Sequence, residues 1–350
     1  MTSVVETTPA AGEAPAETLQ RMFDCLKSAD PRWLPSQFWS KLNEHHLAQL
    51  RAHGIENFKR TLARNYFTFV PSVIDNQFRF LFRHTHWFDW RTICSDFPQF
   101  DQSRGLTRKQ HVELVLFTRM LWRYAEQRDS QGLLRTIAEP AAGNPLDITL
   151  DGRPVSQDLA NSVLEYYSIV GGSGLAQDAA VTICELGAGY GRDAYVFLKT
   201  LPKCRYIIVD IPPALYISQK YLSGLFPEKK IFRFREFGAD GMLPAELATA
   251  EIAFLLPHQA ALLPAESVDL FINISSLHEM RMDQIRAYLD LIGRVTRGHF
   301  YSKQWFVSKN RHDALRIGHT DYPIPGHWRC LFLRPAAVQA AFFEALYAID

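Results

Sequence analysis

Val181-Thr182-Ile183-Cys184-Glu185-Leu186-Gly187-Ala188-Gly189-Tyr190-Gly191-Arg192, continued through Tyr206-Ile207-Ile208-Val209-Asp210, decides the reading of this chain. The apolar run Val181–Cys184 has the length and composition of a buried parallel strand. Three glycines spaced by single residues make a turn. Arg192–Thr200 then reads as a helix carrying Tyr195 and Leu198 on one face, with Leu201 after it. A second apolar run, Tyr206–Val209, closes on the carboxylate of Asp210. Strand, glycine turn, helix and strand in this order place a nucleotide-like ligand across the carboxyl ends of the strands.

The glycine spacing narrows the ligand. A dinucleotide turn needs glycine at its first, third and sixth positions. Here those are Gly187, Gly189 and Arg192, so the pattern fails at the last. Glu-Leu-Gly-x-Gly-x-Gly instead suits a ligand with no pyrophosphate to seat on the helix N-terminus. Its backbone can pass close to an amino-acid moiety whose ammonium Glu185 approaches, and Asp210 stands where it can accept both hydroxyls of a ribose. The plainer alternatives are a solvated strand-end charge for Glu185 and a helix cap for Asp210.

Outward from this stretch, further strands are expected at Ile231–Phe237, Ile252–Leu256, Val268–Ile274, His299–Trp305 and Trp328–Leu333, mostly separated by helices. That alternation is an α/β fold with a doubly wound sheet. The first half reads as mostly helical. Thr18 is expected to cap a helix that ends at Asp30-Pro31, and Ser36 to open one that stops at Gly54. A third is marked by Ile55, Phe58 and Leu62. Others cover Thr107–Glu126 and Leu133–Ala138, and Ser156 caps the last before the sheet. Residues 1–16 read as a disordered tail, 17–150 as a helical accessory or substrate domain, and 151–350 as the sheet domain, with the loop-like Ala141–Pro154 at the boundary. Aromatics crowd Phe58–Phe100 and read as core, with a wall for an organic substrate as the alternative. His84 and His86 share a face if that segment is a strand, but no third metal ligand accompanies them.

In 350 residues, 38 basic side chains nearly cancel 37 acidic ones, which argues against a nucleic-acid or membrane-surface partner. Five scattered cysteines lack metal-ligand spacing and read as buried, reduced thiols. The N-terminus has neither a basic start nor an apolar core, and no apolar run reaches membrane-spanning length, so a cytoplasmic location is expected.

Four stretches in order, Glu185–Arg192 (ELGAGYGR), Val209–Leu215 (VDIPPAL), Phe271–Met280 (FINISSLHEM) and Phe300–Trp305 (FYSKQW), resemble a bacterial family of sugar O-methyltransferases. That family falls within the class I S-adenosylmethionine-dependent methyltransferases. The resemblance covers Ser156 to the C-terminus. It implies a Rossmann-like methyltransferase sheet, S-adenosyl-L-methionine as cofactor and a small-molecule acceptor, a sugar. It also implies that Glu185, Gly187, Ala188, Gly189 and Gly191 line the methionine portion, that Asp210 holds the ribose, and that Ile211 lies against adenine. His258 and Gln259 would touch the adenine edge, where the wider class often carries an acid.

An alcohol is a poor nucleophile, and general-base assistance is worth roughly 100- to 10,000-fold. His278 lies four residues past the end of the Val268–Ile274 strand, and an imidazole exchanges protons near neutral pH. Glu279 either orients it or is itself the base; alternatively His278 merely packs against the next helix. Asn273 is expected at the cofactor, and Lys303, Gln304 and Trp305 at the acceptor. Glu279 and Asp283, with Asp240 or Asp269, are the carboxylates a cation would use, but no spacing specifies one and no metal is expected. A non-sugar acceptor of secondary metabolism, or a cofactor-binding module without turnover, are the competing readings. The oligomeric state is left open.

Overall fold

A computed structural model describes residues 15–61, 71–100, 106–238 and 242–349. The sheet core follows the expected order: β1 (Val181–Leu186), α6 (Arg192–Thr200), β2 (Cys204–Val209), α7 (Ala214–Leu225), β3 (Ile231–Phe232), β4 (Ile252–Leu255), β5 (Val268–Ile274), α8 (Met282–Val295) and β6 (Thr296–Trp305). The longer helices before it are α1 (Pro15–Lys27), α2 (Gln37–His53), α3 (Pro71–His84), α4 (Arg108–Glu126) and α5 (Gln157–Ser173), with single turns at Phe58–Thr61, Trp90–Ile93 and Leu133–Thr136. Two strands follow it, β7 (Arg329–Pro335) and β8 (Phe342–Ala348).

The eight strands lie side by side as β7-β8-β6-β5-β1-β2-β4-β3. Strands β3 to β6 and β1 and β2 are mutually parallel, while β8 runs antiparallel to both β6 and β7. From β1 the chain builds outward in one direction, and from β5 in the other. This makes a doubly wound α/β sheet whose order reverses between β1 and β5, and the crevice at those carboxyl ends is where such sheets bind ligands.

Period-two alternation sends each strand's side chains to two separate apolar layers. Ile183, Tyr206, Ile208, Leu270, Ile272, Tyr301 and Leu346 join one cluster with α5 and α6. Cys184, Leu186, Ile207, Val209, Phe271 and Phe300 join the other with Ile285, Leu289 and Ile292 of α8. The first cluster extends without a break to Met22 and Leu26 of α1 and Leu114 and Phe117 of α4, so helical and sheet regions share one core.

Several expectations give way. Helix α1 starts at Pro15, ahead of the expected Thr18 cap, and the tail expected over residues 1–16 otherwise lies outside the described residues. The strand expected through Phe237 stops at Phe232. Ala141–Pro154 contains a short hairpin, Thr149–Leu150 against Arg153–Pro154, and β6 is followed by another, Val307–Asn310 against Leu315–Gly318. His84 ends helix α3 and His86 caps a short 3-10 turn, so no strand aligns them. The aromatic stretch is not all core: Phe82 and Phe88 are exposed, and Trp87 is 86% exposed. All five cysteines are free, but Cys94 and Cys330 are exposed, against the expectation of burial. Among the described residues no helix is long and apolar enough to cross a membrane.

Candidate active-site cleft

At the carboxyl end of the sheet, β1, β2 and β5 are in register through Leu186, Val209 and Asn273. The next residues of each strand meet at one rim. Gly187 turns there with φ of +73°, and a Cβ on it would stand 2.5 Å from Ser276 Oγ. Only glycine avoids both the left-handed strain and that overlap. Gly191 ends the turn at φ of +88° as the N-cap of α6, and a Cβ there would press on Leu222. Gly187→Ala is expected to cost about 1–3 kcal/mol of stability, measured by urea denaturation, and to push Ser276 out of the cleft wall.

The rim borders a cleft that is open to solvent on one side. Gly187, Gly189, Asp210, Ile211 and Glu279, all expected at the site, line it. Asp210 is buried, and its two oxygens accept from the backbone N–H groups of Gly189 (2.8 Å) and Ile211 (2.7 Å). Burial pushes its carboxyl up to about 7 against the pull of those two donors, and the negative charge of Glu279 pushes the same way. Each oxygen keeps a lone pair for a hydroxyl donor. Two carboxylates at one cleft favour a ligand that carries positive charge and hydroxyl groups.

Other expected residues lie behind the wall. Glu185 turns to the opposite face of the sheet, where Tyr206 Oη donates to it at 2.7 Å and burial raises its carboxyl well above the ordinary range. It is not among the residues that line the cleft. Ala188 is packed in the α5/α6 core layer. His258 lies 3.5 Å from Cys25 Sγ, and Gln259 spends its amide on the backbone of Leu256 and Arg235. Pro257, immediately before them, lines the cleft instead. Asn273 is internal, donating to the Leu186 carbonyl at 2.8 Å. His278 is 4% exposed, with its ring edge-on to Trp305 and Phe342. Gln304 holds both Asn273 and His278, and Trp305 packs on Phe342.

Lys303 points to a second, solvent-open hollow beside α5, lined in part by Asn161, Glu165, Ser168, Arg334 and Glu344. Its ammonium donates to Glu165 at 2.7 Å, and Arg192 bonds the other oxygen of the same carboxylate. Arg192, the residue that broke the dinucleotide pattern, thus serves the core under α6.

Sequence reading missed one wall altogether. Trp33, Leu34, Pro35, Ser36 and Trp39, from the segment leading into α2, cover the cleft from the helical half. Ser36 Oγ donates to the Glu279 carbonyl (3.0 Å), Gln284 donates to the Leu34 carbonyl, and Trp33 stands edge-on to Tyr288 at 5.2 Å. Asp313 accepts from the N–H groups of Gln37 and Phe38. The one signal was Trp33, set between Pro31 and Pro35 outside any helical period; Trp39 lies within α2, where its spacing reads as an ordinary helix face.

Of the carboxylates considered for a cation, Asp283 is paired with Arg281, and Asp269 bonds Arg297 and the Thr182 N–H at the far end of the sheet. Asp240 lies outside the described residues. Among the described residues no three His, Cys, Asp or Glu side chains form a group that could hold a metal.

No family model matches the chain, and no curated protein matches it. Among solved structures it is similar to 1,6-didemethyltoxoflavin-N1-methyltransferase of Burkholderia thailandensis, solved with its substrate and S-adenosylhomocysteine. That match has 14% identity over 55% of this chain and 79% of the other, with a TM-score of 0.38. A SAM-dependent methyltransferase from Aquifex aeolicus matches at 12% identity over 65% and 98%, with a TM-score of 0.34. The mitomycin 7-O-methyltransferase matches at 11% over 55% and 57%, with a TM-score of 0.34. At such values nothing about ligand or reaction passes from those proteins to this chain.

Proposed function

We propose that this chain is an S-adenosyl-L-methionine-dependent methyltransferase that methylates a hydroxyl of a small molecule, with a sugar as the acceptor. The carrying observation is the cleft at the β1/β5 switch point, where the Gly187–Gly191 turn, the buried Asp210 and Glu279 face one space. These residues fit the cofactor. Gly187 and Gly189 let the backbone approach its methionine portion, Asp210 accepts from its ribose hydroxyls, and Ile211 and Pro257 offer apolar contact to its base. The two carboxylates balance its positive charge. Glu185 is the exception, since it faces away and would act only through the turn it supports.

Bound there, the cofactor supplies an electrophilic methyl on a sulfonium with a good leaving group. The chain's task is to align the acceptor, exclude water and take one proton. A sugar as acceptor rests on the resemblance of the four motifs to sugar O-methyltransferases; the hollow at Lys303 lies on the α5 face of the sheet, where Lys303 is paired with Glu165 and Arg334 with Glu344. A second acceptor, flat and apolar as in secondary metabolism, is favoured by the indoles of Trp33 and Trp39 over the cleft.

Titration calorimetry with S-adenosylmethionine and with NAD tests the cofactor: the first is expected to bind, and binding of NAD alone overturns the proposal. A panel of nucleotide sugars, methyl glycosides and phenols, assayed with labelled methyl donor, separates the two acceptors. Cofactor binding without transfer to any member would favour a non-catalytic module.

A further inference from the structure

Glu279 lines the cleft while its neighbour His278 does not. Glu279 Oε2 is buried and has no hydrogen-bond partner among the described residues. Its other oxygen, Oε1, stands 3.5 Å from His278 Nε2. Behind the imidazole, a chain of side-chain amides is anchored on backbone groups whose direction of donation is fixed.

That chain determines the ring's tautomer. Asn273 Nδ2 donates to the Leu186 carbonyl, which can only accept, so Asn273 Oδ1 faces the other way. There Oδ1 accepts from the Leu277 N–H (3.2 Å) and from Gln304 Nε2 (2.6 Å). Gln304 Nε2 also donates to the Asn273 carbonyl at 3.2 Å. The remaining atom of that amide, Oε1, therefore faces His278, where it accepts from the backbone N–H at 3.3 Å and meets Nδ1 at 3.0 Å. An amide oxygen cannot donate, so Nδ1 carries the hydrogen and Nε2 presents its lone pair to Glu279. A proton that reaches the carboxylate can then be shared between Oε1 and Nε2.

We propose that Gln304 is a positioning residue that locks His278 as the Nδ1–H tautomer, and that Glu279 Oε2 is the atom that takes the acceptor's proton. This rests on the methyltransferase reading and takes the second of the two alternatives left open by the sequence, Glu279 rather than His278 as the base, with Gln304 added behind the imidazole. Glu279 Oε2 gains the hydroxyl proton as the acceptor oxygen bonds to the methyl carbon, and the sulfur keeps the electron pair of the bond that breaks. His278 Nε2, behind the carboxylate, gives that proton a second place to rest until solvent removes it.

The test uses the full chain labelled with ¹⁵N-histidine, with the His278 signals identified by their loss in His278→Gln. Long-range ¹H–¹⁵N spectra are expected to show a protonated Nδ1. In Gln304→Leu the Nε2–H tautomer is expected to appear, whereas Glu279→Gln should keep Nδ1–H. A neutral Nε2–H ring in the wild type overturns the Gln304 role. With an acceptor from the panel and the cofactor at saturation, Glu279→Gln is expected to lower kcat at least ~100-fold, and His278→Gln to lower it less. The opposite ranking overturns the Glu279 role, with melting curves confirming that each variant is folded. If wild type fails to bind S-adenosylmethionine, the methyltransferase reading falls while the tautomer result stands separately.

Discussion

Replacing Asp210 with alanine is expected to weaken S-adenosylmethionine binding by about 100-fold or more in titration calorimetry. Hydrogen bonds to a charged group are each worth about 1.5–3 kcal/mol, and this carboxylate is placed to accept two from a ribose. The variant also leaves the Gly189 and Ile211 N–H groups without their acceptor. Affinity in the wild type should rise with pH and level off above about 7, the value to which burial pushes this carboxyl. The sign follows from the ligand: hydroxyl donors favour the ionised acid, so binding below that pH must release a proton. In the free protein the linkage runs the other way. A folded value above the unfolded one contributes stability below the unfolded value, and this is lost as pH rises through about 7. Thermal stabilisation by ligand should therefore grow from pH 6 to 8, and both slopes should flatten in Asp210→Ala.

Glu165→Ala is expected to destabilise the fold by about 3–5 kcal/mol, the usual cost of stranding a buried charge, measured by urea denaturation. Glu165 is 3% exposed and bonds both Arg192 and Lys303, so its loss leaves two cations facing each other under α6. Burial would raise its carboxyl, but the two cations outweigh this and hold it at about 2. Its contribution is present above the unfolded value near 4.5 and is lost as pH falls toward 2. A double variant, Glu165→Leu with Lys303→Met, should lose less than the single one, because Lys303 is no longer stranded and Arg192 keeps Asp193 as its partner at 3.2 Å. A single variant as stable as the wild type would show that the cluster contributes little.

Most of the sheet was legible because each strand carries a short apolar run and each turn its own chemistry. Ser36, Gly54, Thr107 and Ser156 cap or stop their helices as their residue types predict. Strand β8 was not legible. Phe342, Phe343, Ala345 and Leu346 sit at spacings that fit a helix as well as a strand, and burial on both faces removes the alternation that would have decided it. The exposed Trp87 and Phe88 misled for the converse reason: aromatic density predicts burial only where the fold supplies a partner surface.

The glycine turn at Gly187–Gly191 and the carboxylate of Asp210 were determined by sequence alone, because backbone conformation and strand length are local and the rim position follows from them. Which acid faces the cleft was decided only in three dimensions. Glu185 and Glu279 look alike as letters near strand ends. Glu185, one residue inside the end of β1, goes by strand alternation to the far layer and Tyr206. Glu279, in the turn after β5, returns over the carboxyl edge beside Asp210. The Trp33–Trp39 wall, and the amide chain from Leu186 through Gln304 to His278, join segments far apart in the chain. Only the packing of the helical half against the sheet, and of β6 against β5, brings them together.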